Sequence, residues 1–409
     1  MSSDETEKTP AELLSLPNEV LCYLFTFIPP HDAITKIPLV CKRFSLIIKD
    51  AKFWSTRIRN EQSVRMPQCE LRHPDYSPQK SFYMIHQQNQ RWKDWESQRI
   101  ITAPGHMATV DSVMLFNKNE KLFCLSGSRD RSIRLWDIQN VGSGENSEEN
   151  KWTVAQNDTA HSGWIWNVAR NEESEKFYTT SWDSTVKEWS IPDGGALQEL
   201  NSVNLGSAVQ CVSTSGSSNE VVCTTFARRT AVIDTRSFKI VADHQLHKKA
   251  VIGLAVQGDK IFTSSEDRMM MMVDRRMMSK AVLFEYCPKS YKTSLSLQRH
   301  QLLTSTSDGK VKLYDANNFN VVQSYTTGEY TRQSQLHIGA HMVMARRQGS
   351  RQYKFMVYSP GIRSEERCVS TVLPAEPAKF DYSASRKTLA IGTGDSSIIF
   401  CLPALPVQE

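Results

Sequence analysis

Histidine, serine and aspartate recur together along the C-terminal three quarters of the chain, in an order that could support hydrolysis. His106, Ser128 and Asp130 form the first set. Histidine can act as a general base toward a serine nucleophile and aspartate can orient the histidine, so these are the residue types of a hydrolytic triad. The set recurs twice, at His161, Ser181 and Asp183 and at His247, Ser265 and Asp267. Because a nucleophilic site is built once per protein, the recurrence indicates a structural framework rather than catalysis.

Other motifs that carry chemistry are missing from the sequence. No G-x-x-x-x-G-K-[ST], G-x-S-x-G or H-E-x-x-H pattern occurs, and no paired Cys/His set. We therefore predict no catalytic residue, no metal site and no cofactor. The methionine run at residues 269–272 could bind a soft metal, but thioether side chains more often fill irregular core, so we expect a buried strand there.

Length and composition are those of a globular protein with more than one module. The chain has 409 residues, of which 40% are hydrophobic and 23% charged, and a formal net charge of +5. No apolar run is long enough to cross a bilayer, and the acidic start is unlike a secretory signal. Nine scattered cysteines without a C-x-x-C pair favour a reducing compartment, cytoplasmic or nuclear. The mild charge permits an acidic partner and does not require nucleic acid or a membrane.

The turn aspartate of the first set recurs at a regular spacing. Its equivalents Asp183, Ala227, Asp267 and Asp308 follow at intervals of 53, 44, 40 and 41 residues, and Asp395 lies 87 residues further, or two steps. Each unit contains short apolar stretches separated by turns. A period of roughly 40 to 45 residues with several short strands per unit predicts a β-propeller, here with seven blades.

Two details of the ring can be predicted. The last repeat supplies only three strands of its own, so the apolar stretch at residues 100–101 is expected to add the fourth and close the ring. The sixth repeat has lost its markers, but residues 335–338, 341–345, 353–359 and 368–373 still read as four strands. Because Ala227 also replaces the turn aspartate of blade three, we expect blades three and six to be the least stable. A Gly/Ser/acidic insertion around residues 142–150 is expected to form a surface loop.

The first hundred residues have a helical pattern. Residues 1–11 lack apolar periodicity and are expected to be disordered. After Pro17, apolar residues at Leu21, Leu24, Phe25 and Ile28 have helical spacing, and a second stripe occupies residues 40–48. Three short helices bury little surface, so we expect a partner.

These segments resemble two known families. The Leu-Pro-x-Glu-Val-Leu stretch at residues 16–21, Val-Cys-Lys-Arg-Phe at 40–44 and Trp54 resemble an F-box, and the Gly-His, Ser-x-Asp and Trp-Asp elements resemble WD repeats. The resemblance implies an α plus all-β multidomain chain. Its predicted parts are a disordered N-terminus at 1–11, a three-helix F-box at 12–58, a helical linker at 59–98 and a seven-bladed WD-repeat propeller at 99–405.

The resemblance to F-box/WD-repeat proteins also implies a function. It implies docking to the Skp linker protein of an SCF-type cullin–RING ubiquitin ligase, while the propeller binds a protein substrate. The implied Skp contacts are Leu16, Pro17, Val20, Leu21 and Leu24. The alternative is a small helical cap packed on the propeller.

The linker would hold the two modules at a fixed distance, with Tyr83, Trp92 and Trp95 packed at its foot. Within blades, His, Ser, Asp and a strand tryptophan, here Trp136 and Trp189, would form a hydrogen-bond network.

Arginines and aromatic residues concentrate in the turns that line one mouth of a WD propeller. The arginines are Arg129, Arg131, Arg228, Arg229, Arg268, Arg346, Arg347 and Arg351, and the aromatic residues are Trp164, Trp166, Trp182 and Phe226. Arginine binds carboxylates and phosphates, and tryptophan is enriched in binding hot spots. We therefore expect an acidic or phosphorylated protein segment at Arg129, Arg131, Trp164, Trp182, Arg228 and Arg268.

Each of these expectations has an alternative. The arginines could be solvated loop residues and the tryptophans could pack between blades. The whole protein could act as a scaffold outside degradation, or its basic rim could bind nucleic acid.

Overall fold

The computed structural model describes residues 13–61, 71, 74, 76–93, 98–143, 152–192, 195–214, 219–337, 340–346, 352–358 and 367–403. Helices dominate the described residues up to Lys93, and strands dominate from Arg99 onward. The segment expected to be disordered, residues 1–11, lies outside the described residues. In the described part of the chain, none of the helices has the length and apolar character needed to span a membrane.

Five α-helices form the N-terminal module, where the sequence predicted three. After a 3₁₀ turn at Leu13–Ser15 they are α1 Asn18–Thr26, α2 Pro30–Thr35, α3 Ile37–Val40, α4 Lys42–Lys49 and α5 Ala51–Glu61. Pro30 begins α2 and Pro38 lies in the first turn of α3. Proline is tolerated at these positions because the first backbone N–H groups of a helix have no partner within the helix. Cys41 caps α4 by accepting a hydrogen bond from the Phe44 amide. The predicted second helix, at residues 40–48, corresponds to α4, and the prolines begin two further short helices between α1 and α4.

The helical module has an apolar core of its own. Phe25 packs edge-on against Phe44, with ring centroids 5.0 Å apart, and Trp54 packs on Phe82 at 5.4 Å. Phe82 belongs to the linker helix, Pro78–Lys93, which lies against α5 and contributes a second fully buried side chain, Ile85. The linker helix therefore covers surface that three helices alone would have left exposed.

Arg57 ties α5 to the end of α1. Its side chain is almost fully buried, and Nη2 donates to the carbonyl of Thr26 at 2.9 Å. The guanidinium lies over the ring of Phe82 at 4.5 Å and forms an ion pair with Glu61. An arginine satisfied in this way fixes where α1 ends, because the last carbonyls of a helix have no partner within the helix.

In the part of the chain that the structure describes, twenty-eight strands form seven antiparallel sheets of four strands each. Blades one to three contain β2 Ser112–Lys118, β3 Lys121–Gly127, β4 Ile133–Asp137, β5 Thr153–Asn157, β6 Ile165–Arg170, β7 Phe177–Ser181, β8 Thr185–Ser190, β9 Gln198–Asn204, β10 Val209–Thr214, β11 Glu220–Thr225, β12 Arg229–Asp234 and β13 Lys239–Gln245. A short helix, Ile138–Ser143, follows β4. The rest of the predicted insertion loop, residues 144–150, lies outside the described residues.

Blades four to six repeat the same order of strands. They contain β14 Val251–Gln257, β15 Lys260–Ser265, β16 Met269–Asp274, β17 Val282–Tyr286, β18 Lys292–Gln298, β19 Gln301–Thr306, β20 Lys310–Asp315, β21 Val321–Thr326, β22 Tyr330–His337, β23 Ala340–Arg346, β24 Tyr353–Tyr358 and β25 Arg367–Leu373. A 3₁₀ turn at Arg275–Met277 follows β16. The four strands predicted for the unmarked sixth blade are confirmed, and the methionine run is the third strand of blade four, as predicted.

The first strand of the propeller closes the ring. Blade seven consists of β26 Pro377–Ser383, β27 Thr388–Thr393 and β28 Ser397–Leu402, and β1 Arg99–Pro104 completes it. β1 runs antiparallel to β28, with Arg99 opposite Leu402 and Pro104 opposite Ser397. The prediction that the stretch before the first repeat supplies the missing strand is therefore confirmed, and each of the seven sheets formed by the described residues has four strands.

The linker helix reaches the propeller through Trp92. Its buried indole belongs to the core of blades six and seven, 6.3 Å from Phe355 and 5.5 Å from Tyr382 between ring centroids. Trp92 therefore packs at the foot of the linker as predicted. Tyr83 is half-buried in the linker helix, and Trp95 lies outside the described residues.

Candidate interaction surfaces

The His–Asp sets form hydrogen-bond frameworks inside single blades. In blade one, Trp136 Nε1 donates to Ser126 Oγ at 2.8 Å, and Ser126 Oγ lies 2.8 Å from His106 Nε2. His106 Nδ1 lies 3.0 Å from Asp130 Oδ2. These contacts assign the proton of a neutral His106 to Nδ1, from which it is donated to Asp130. The bonds run from the third strand through the second to the turn, so they hold the blade together.

The serine of this framework differs from the predicted one. Ser128 does not contact His106; its hydroxyl donates to the carbonyl of Ala108 at 3.0 Å and accepts from the amide of Asp130 at 3.2 Å. The bridging hydroxyl belongs to Ser126, two residues earlier. Side chains two residues apart in a strand share a face, so the spacing alone could not distinguish the two serines.

Blades two and four repeat the framework with threonine at the bridging position. Trp189 Nε1 donates to Thr179 Oγ1 at 2.9 Å, and that oxygen lies 2.7 Å from His161 Nε2. In blade four, His247 Nε2 lies 2.9 Å from Thr263 Oγ1. The predicted Ser181 instead accepts a hydrogen bond from the amide of Asp183. Ser265 likewise accepts from the amide of Asp267.

The electrostatics of the frameworks suit a structural role. Burial lowers the pKa of His106 and of His247, which keeps both rings neutral at physiological pH. Burial alone would raise the pKa of Asp130, but the hydrogen bond from His106 holds it below its ordinary range. Ser126, His106 and Trp136 are buried, and both ring nitrogens of His106 are engaged, so the set presents no hydroxyl to a substrate. Among the described residues, no group of three or more His, Cys, Asp or Glu side chains could hold a metal ion.

Helix α1 presents apolar side chains on two opposite faces. Leu21 and Phe25 point into the helical core and are 0% and 3% exposed, respectively. On the other face, Val20, Tyr23, Leu24 and Phe27 follow at i, i+3, i+4 and i+7 and are 40%, 64%, 37% and 70% exposed. We call these four residues the exposed α1 face. A helix that is apolar all round is normally buried on all sides, so this face is built to be covered.

The structure separates the five predicted Skp contacts. Val20 and Leu24 lie on the exposed α1 face and Pro17 is exposed at its start, whereas Leu16 is partly buried against the helical core. Leu21 is fully buried in that core. We therefore correct the prediction for Leu21, which shares the apolar spacing of α1 but faces inward.

Arg43 connects the two most characteristic stretches of the module. Its guanidinium donates to the carbonyls of Leu14 and Leu16, each at 2.6 Å, and Nε donates to Asn18 Oδ1 at 2.9 Å. One side chain of α4 therefore fixes the segment that enters α1. Sequence reasoning recognised Arg43 as part of a motif but not that it holds the Leu16–Pro17 segment in place.

One backbone hydrogen bond repeats around the rim of the propeller. In six blades the turn between the second and third strands donates an amide to the residue just before or at the start of the first strand. The pairs are Arg129 to Thr109, Trp182 to Trp164, Phe226 to Ala208, Glu266 to Ala250, Ser307 to Tyr291 and Gly394 to Glu376, at 2.7–3.2 Å. This recurring bond places the paired residues at equivalent positions of the same mouth of the ring.

On blades two and three, aromatic side chains at or beside these rim positions form a continuous surface. Trp164 lies 5.9 Å from Trp182 and 6.1 Å from Trp166, and Trp182 lies 5.7 Å from Phe226, between ring centroids. Trp164, Trp182 and Phe226 are 43%, 45% and 50% exposed, while Trp166 is half-buried. We call these four residues the aromatic stripe. The structure thus brings together the predicted Trp164 and Trp182 and joins them to Phe226.

Arg129 lies at one end of the aromatic stripe and already has a carboxylate partner. Its Nε and Nη2 donate to the two oxygens of Asp111 at 2.6 and 3.2 Å. The guanidinium lies over the rings of Trp164 and Trp166, at 4.9 and 5.4 Å. The hydrogen bond to Asp111 raises the pKa of Arg129. Arg129 is therefore a cation held in place by Asp111 on its Nε and Nη2 edge and by the two indoles on its flat face.

The other predicted arginines occupy different environments. Arg131, Arg228 and Arg268 each come directly after the turn position of their blade. All three are exposed, and their own φ angles are positive, at 70–74°. Arg268 donates to the carbonyl of Pro288 at 2.6 Å, and Arg229 forms an ion pair with Asp243. Among the residues that the structure describes, neither Arg131 nor Arg228 forms an ion pair. Arg346 is exposed beside Tyr353, while Arg347 and Arg351 lie outside the described residues.

A closed ring of seven such blades, with a helical module fused in front of it, defines a two-part WD-repeat propeller protein. A family model described as F-box-like matches residues 13–60, and the WD domain, G-beta repeat model matches residues 97–137 and 152–190. Neither description is that of an enzyme. The solved WD40 repeats of RRP9 superpose with a TM-score of 0.63 at 14% identity, covering 74% of this chain and 97% of that one. The WD40 propeller domain of Doa1 gives 0.59 at 17% identity, covering 74% and 95%.

Comparison with curated proteins extends the similarity to nearly the whole chain. The F-box/WD repeat-containing protein mec-15 of Caenorhabditis elegans is 68% identical over 405 residues, which cover 99% of this chain and 100% of that protein. The F-box/WD repeat-containing protein 9 of Homo sapiens is 29% identical over 322 residues, covering 77% and 68%. The chain belongs to the F-box/WD repeat-containing protein family.

Proposed function

We propose that this chain is the substrate-recognition adaptor of an SCF-type ubiquitin ligase. The helical module binds the Skp linker protein and, through it, the cullin–RING ligase, while the mouth of the propeller binds a protein substrate. The observation that carries the proposal is the exposed α1 face, whose apolar side chains lie opposite a helix face that is already buried. Burial of such side chains by a partner contributes roughly 25 cal/mol per Å² of apolar surface.

The adaptor acts by proximity and supplies no catalytic group. One end holds the ligase and the other holds the target, so a target lysine meets the transfer site at a high effective concentration. The packing of Trp92 on Phe355 and Tyr382 supports this role because it fixes the linker helix to the propeller. We place this activity in the cytoplasm, the nucleus or both.

Co-purification of the full chain with Skp and cullin tests the ligase end. Val20→Glu combined with Leu24→Glu puts two carboxylates on the exposed α1 face without touching the core, so we expect Skp and cullin to be lost while the fold persists. The matched control is Val282→Glu with Leu283→Glu on the outer strand of blade four, where both residues are similarly exposed. Leu21 is unsuitable, because truncating a buried leucine to alanine costs about 2–5 kcal/mol of stability.

The same experiment distinguishes the alternatives. Recovery of Skp without cullin would favour a scaffold outside degradation, and recovery of neither by the intact chain would overturn the proposal. A nucleic-acid-binding propeller would show steeply salt-dependent binding to homopolymers. We do not favour it, because Asp111 and Asp243 already pair with Arg129 and Arg229 on the basic rim.

A further inference from the structure

We propose, on the basis of the proposed function, that the aromatic stripe anchors a large apolar side chain of an unphosphorylated substrate segment with acidic flanks. The expectation from the sequence was an acidic or phosphorylated ligand bound by arginines and tryptophans together. The geometry around Arg129 and Trp182 instead assigns the anchoring contact to the aromatic rings and the supporting role to the cation.

The aromatic stripe is rigid and open to solvent. The amide of Trp182 donates to the carbonyl of Trp164 at 2.8 Å, and the amide of Phe226 donates to Ala208 at the same distance. A Cβ added to Gly163 would lie 2.6 Å from the amide nitrogen of Asp183, so only glycine lets the Trp164 loop approach the Trp182 turn this closely. Exposed aromatic rings held by backbone contacts lose little conformational entropy on binding, which is why such residues form hot spots.

Arg129 has only part of its guanidinium available for a phosphate. Its Nε and Nη2 edge is bound by the two oxygens of Asp111, which is itself buried, and its flat face lies over Trp164 and Trp166. A phosphate that took the Nε and Nη2 edge would displace Asp111 and leave a buried carboxylate without its partner, which is costly. Arg129 therefore positions the two indoles and forms the end wall of the stripe.

Charge around the stripe selects the flanks of the bound segment. Arg131 and Arg228 are exposed in the same turns as Arg129 and Phe226, and Lys248 and Lys249 are exposed shortly before the first strand of blade four. Tryptophan faces can attract a lysine or methylated lysine. Here, however, Arg129 already lies over the rings of Trp164 and Trp166, and the exposed cations would repel a second positive charge. Carboxylates in the flanks are complementary to the exposed cations, and such exposed pairs add steering and salt dependence more than affinity.

The test uses the full chain and pools of short fluorescein-labelled peptides, read by fluorescence polarisation. One pool has an Asp/Glu-rich background with Trp, Phe or Leu at the centre, and the comparison pools have alanine or phosphoserine at that centre. A further pool has central Trp in a Lys-rich background. We expect the apolar-centred acidic pool to bind about 10-fold or more tighter than the alanine pool, since losing a hot-spot aromatic contact has at least that effect. The phosphoserine pool should bind no better than the alanine pool, and the Lys-rich pool should bind least.

Variants of the chain locate the binding. Trp182→Ala and Phe226→Ala should each weaken the apolar-centred pool by about 10-fold or more. Gly163→Ala should weaken it by displacing Trp164, and Tyr286→Ala, an equally exposed aromatic on the outside of blade four, should leave it unchanged. Arg131→Ala with Arg228→Ala should reduce mainly its salt dependence.

Three outcomes would overturn the inference. They are preferential binding of the phosphoserine pool, failure of every apolar-centred pool to bind, and self-association of the chain that Trp182→Ala abolishes. Each leaves the proposed function standing if the chain still recovers Skp and cullin. Loss of Skp binding by the intact chain would count against the proposed function and not against the peptide site.

Discussion

The indole ring of Trp92 lies 5.5 Å, centroid to centroid, from the phenol ring of Tyr382. Trp92 is in the last turn of the linker helix and Tyr382 is in the first strand of blade seven, the blade that also receives β1. The chain therefore fastens its helical module to the blade at which the ring closes. The buried side chain of Trp92 therefore contributes both to the stability of the closing blade and to the position of the linker helix.

Replacing Trp92 with alanine should destabilise this joint. Removal of a buried tryptophan leaves a cavity and costs about 3–5 kcal/mol. We expect a lower thermal midpoint for Trp92→Ala and a smaller loss for Trp92→Phe, which retains a ring against Phe355. Differential scanning calorimetry checks this, and equal midpoints for wild type and Trp92→Ala would contradict it.

The hydrogen-bond framework of blade one predicts which serine matters. Ser126→Ala removes the acceptor of Trp136 Nε1 and the partner of His106 Nε2 together, and each unsatisfied buried group costs about 1–3 kcal/mol. Ser128→Ala removes one hydrogen bond to the carbonyl of Ala108 and one from the amide of Asp130, and should cost about 1 kcal/mol. Urea unfolding of both variants measures the difference. An equal or larger loss for Ser128→Ala would show that the bridge through Ser126 is not the stabilising one.

The contact between blades four and five should give the propeller part of its acid sensitivity. Burial disfavours the charged form of Glu285, but attraction by Lys292 and hydrogen bonds from Lys292, Lys312 and Tyr314 lower its pKa to about 2. Lys292 Nζ lies 2.5 Å from Glu285 and is nearly fully buried. Since the folded pKa is below the unfolded value, the contribution is present above about pH 4.3 and is lost as pH falls toward 2; for this shift it is about 3 kcal/mol. Urea unfolding from pH 5 to 2 should show a flatter pH dependence for Glu285→Gln than for wild type, and parallel curves would contradict it.

Blade six should respond at a higher pH. Burial lowers the pKa of His341 to about 4 and that of His337 to about 4, so both rings are neutral when the blade is folded. Their folded pKa values lie below the unfolded value near 6.5, so stability is present above about pH 6.5 and is lost as pH falls toward 4. Hydrogen exchange between pH 7 and 4 should show blade six opening first, and His341→Phe, which keeps a ring against Tyr325, should reduce the effect. Uniform exchange across the seven blades would contradict this prediction.

If the chain binds Skp as proposed, Arg43 should influence the affinity indirectly, by holding the segment that enters α1. Arg43→Lys keeps the positive charge but cannot hold Leu14, Leu16 and Asn18 at once. We expect the variant to remain folded and to bind Skp about 10-fold more weakly, because the segment entering α1 is no longer fixed. Titration calorimetry with purified Skp measures this. Unchanged affinity would show that the segment is ordered by other contacts.

The sequence predicted the architecture well because the repeats are visible in its spacing. The turn residues at Asp130, Asp183 and Asp267 recur at blade length, and the ring closure followed from counting three strands in the last repeat. Even blade six could be divided into strands from apolar runs alone. Strand pairing needs only local alternation and turns, and both are legible in a sequence.

What spacing could not supply were choices between neighbouring positions. In the sequence, Leu21 and Leu24 share one helical apolar pattern, but only the packing of the helical core decides that Leu21 faces inward and Leu24 outward. Ser126 and Ser128 are two residues apart at the end of β3, so the sequence spacing does not show which hydroxyl meets His106. The pairing of Arg129 with Asp111 joins two turns that are adjacent only after the blade has folded. Each of these is a tertiary relationship and has no local signal.

The most direct test of the two-ended account is proximity labelling in cells with and without a proteasome block. It compares the intact chain with Val20→Glu/Leu24→Glu and with Trp182→Ala. The account predicts a set of proteins whose labelling by the intact chain increases under the block. The same proteins should be labelled by the Val20→Glu/Leu24→Glu chain even without the block, and should not be labelled by the Trp182→Ala chain. If no labelled protein responds both to the block and to Trp182→Ala, the ends do not serve one degradative function and the account is contradicted.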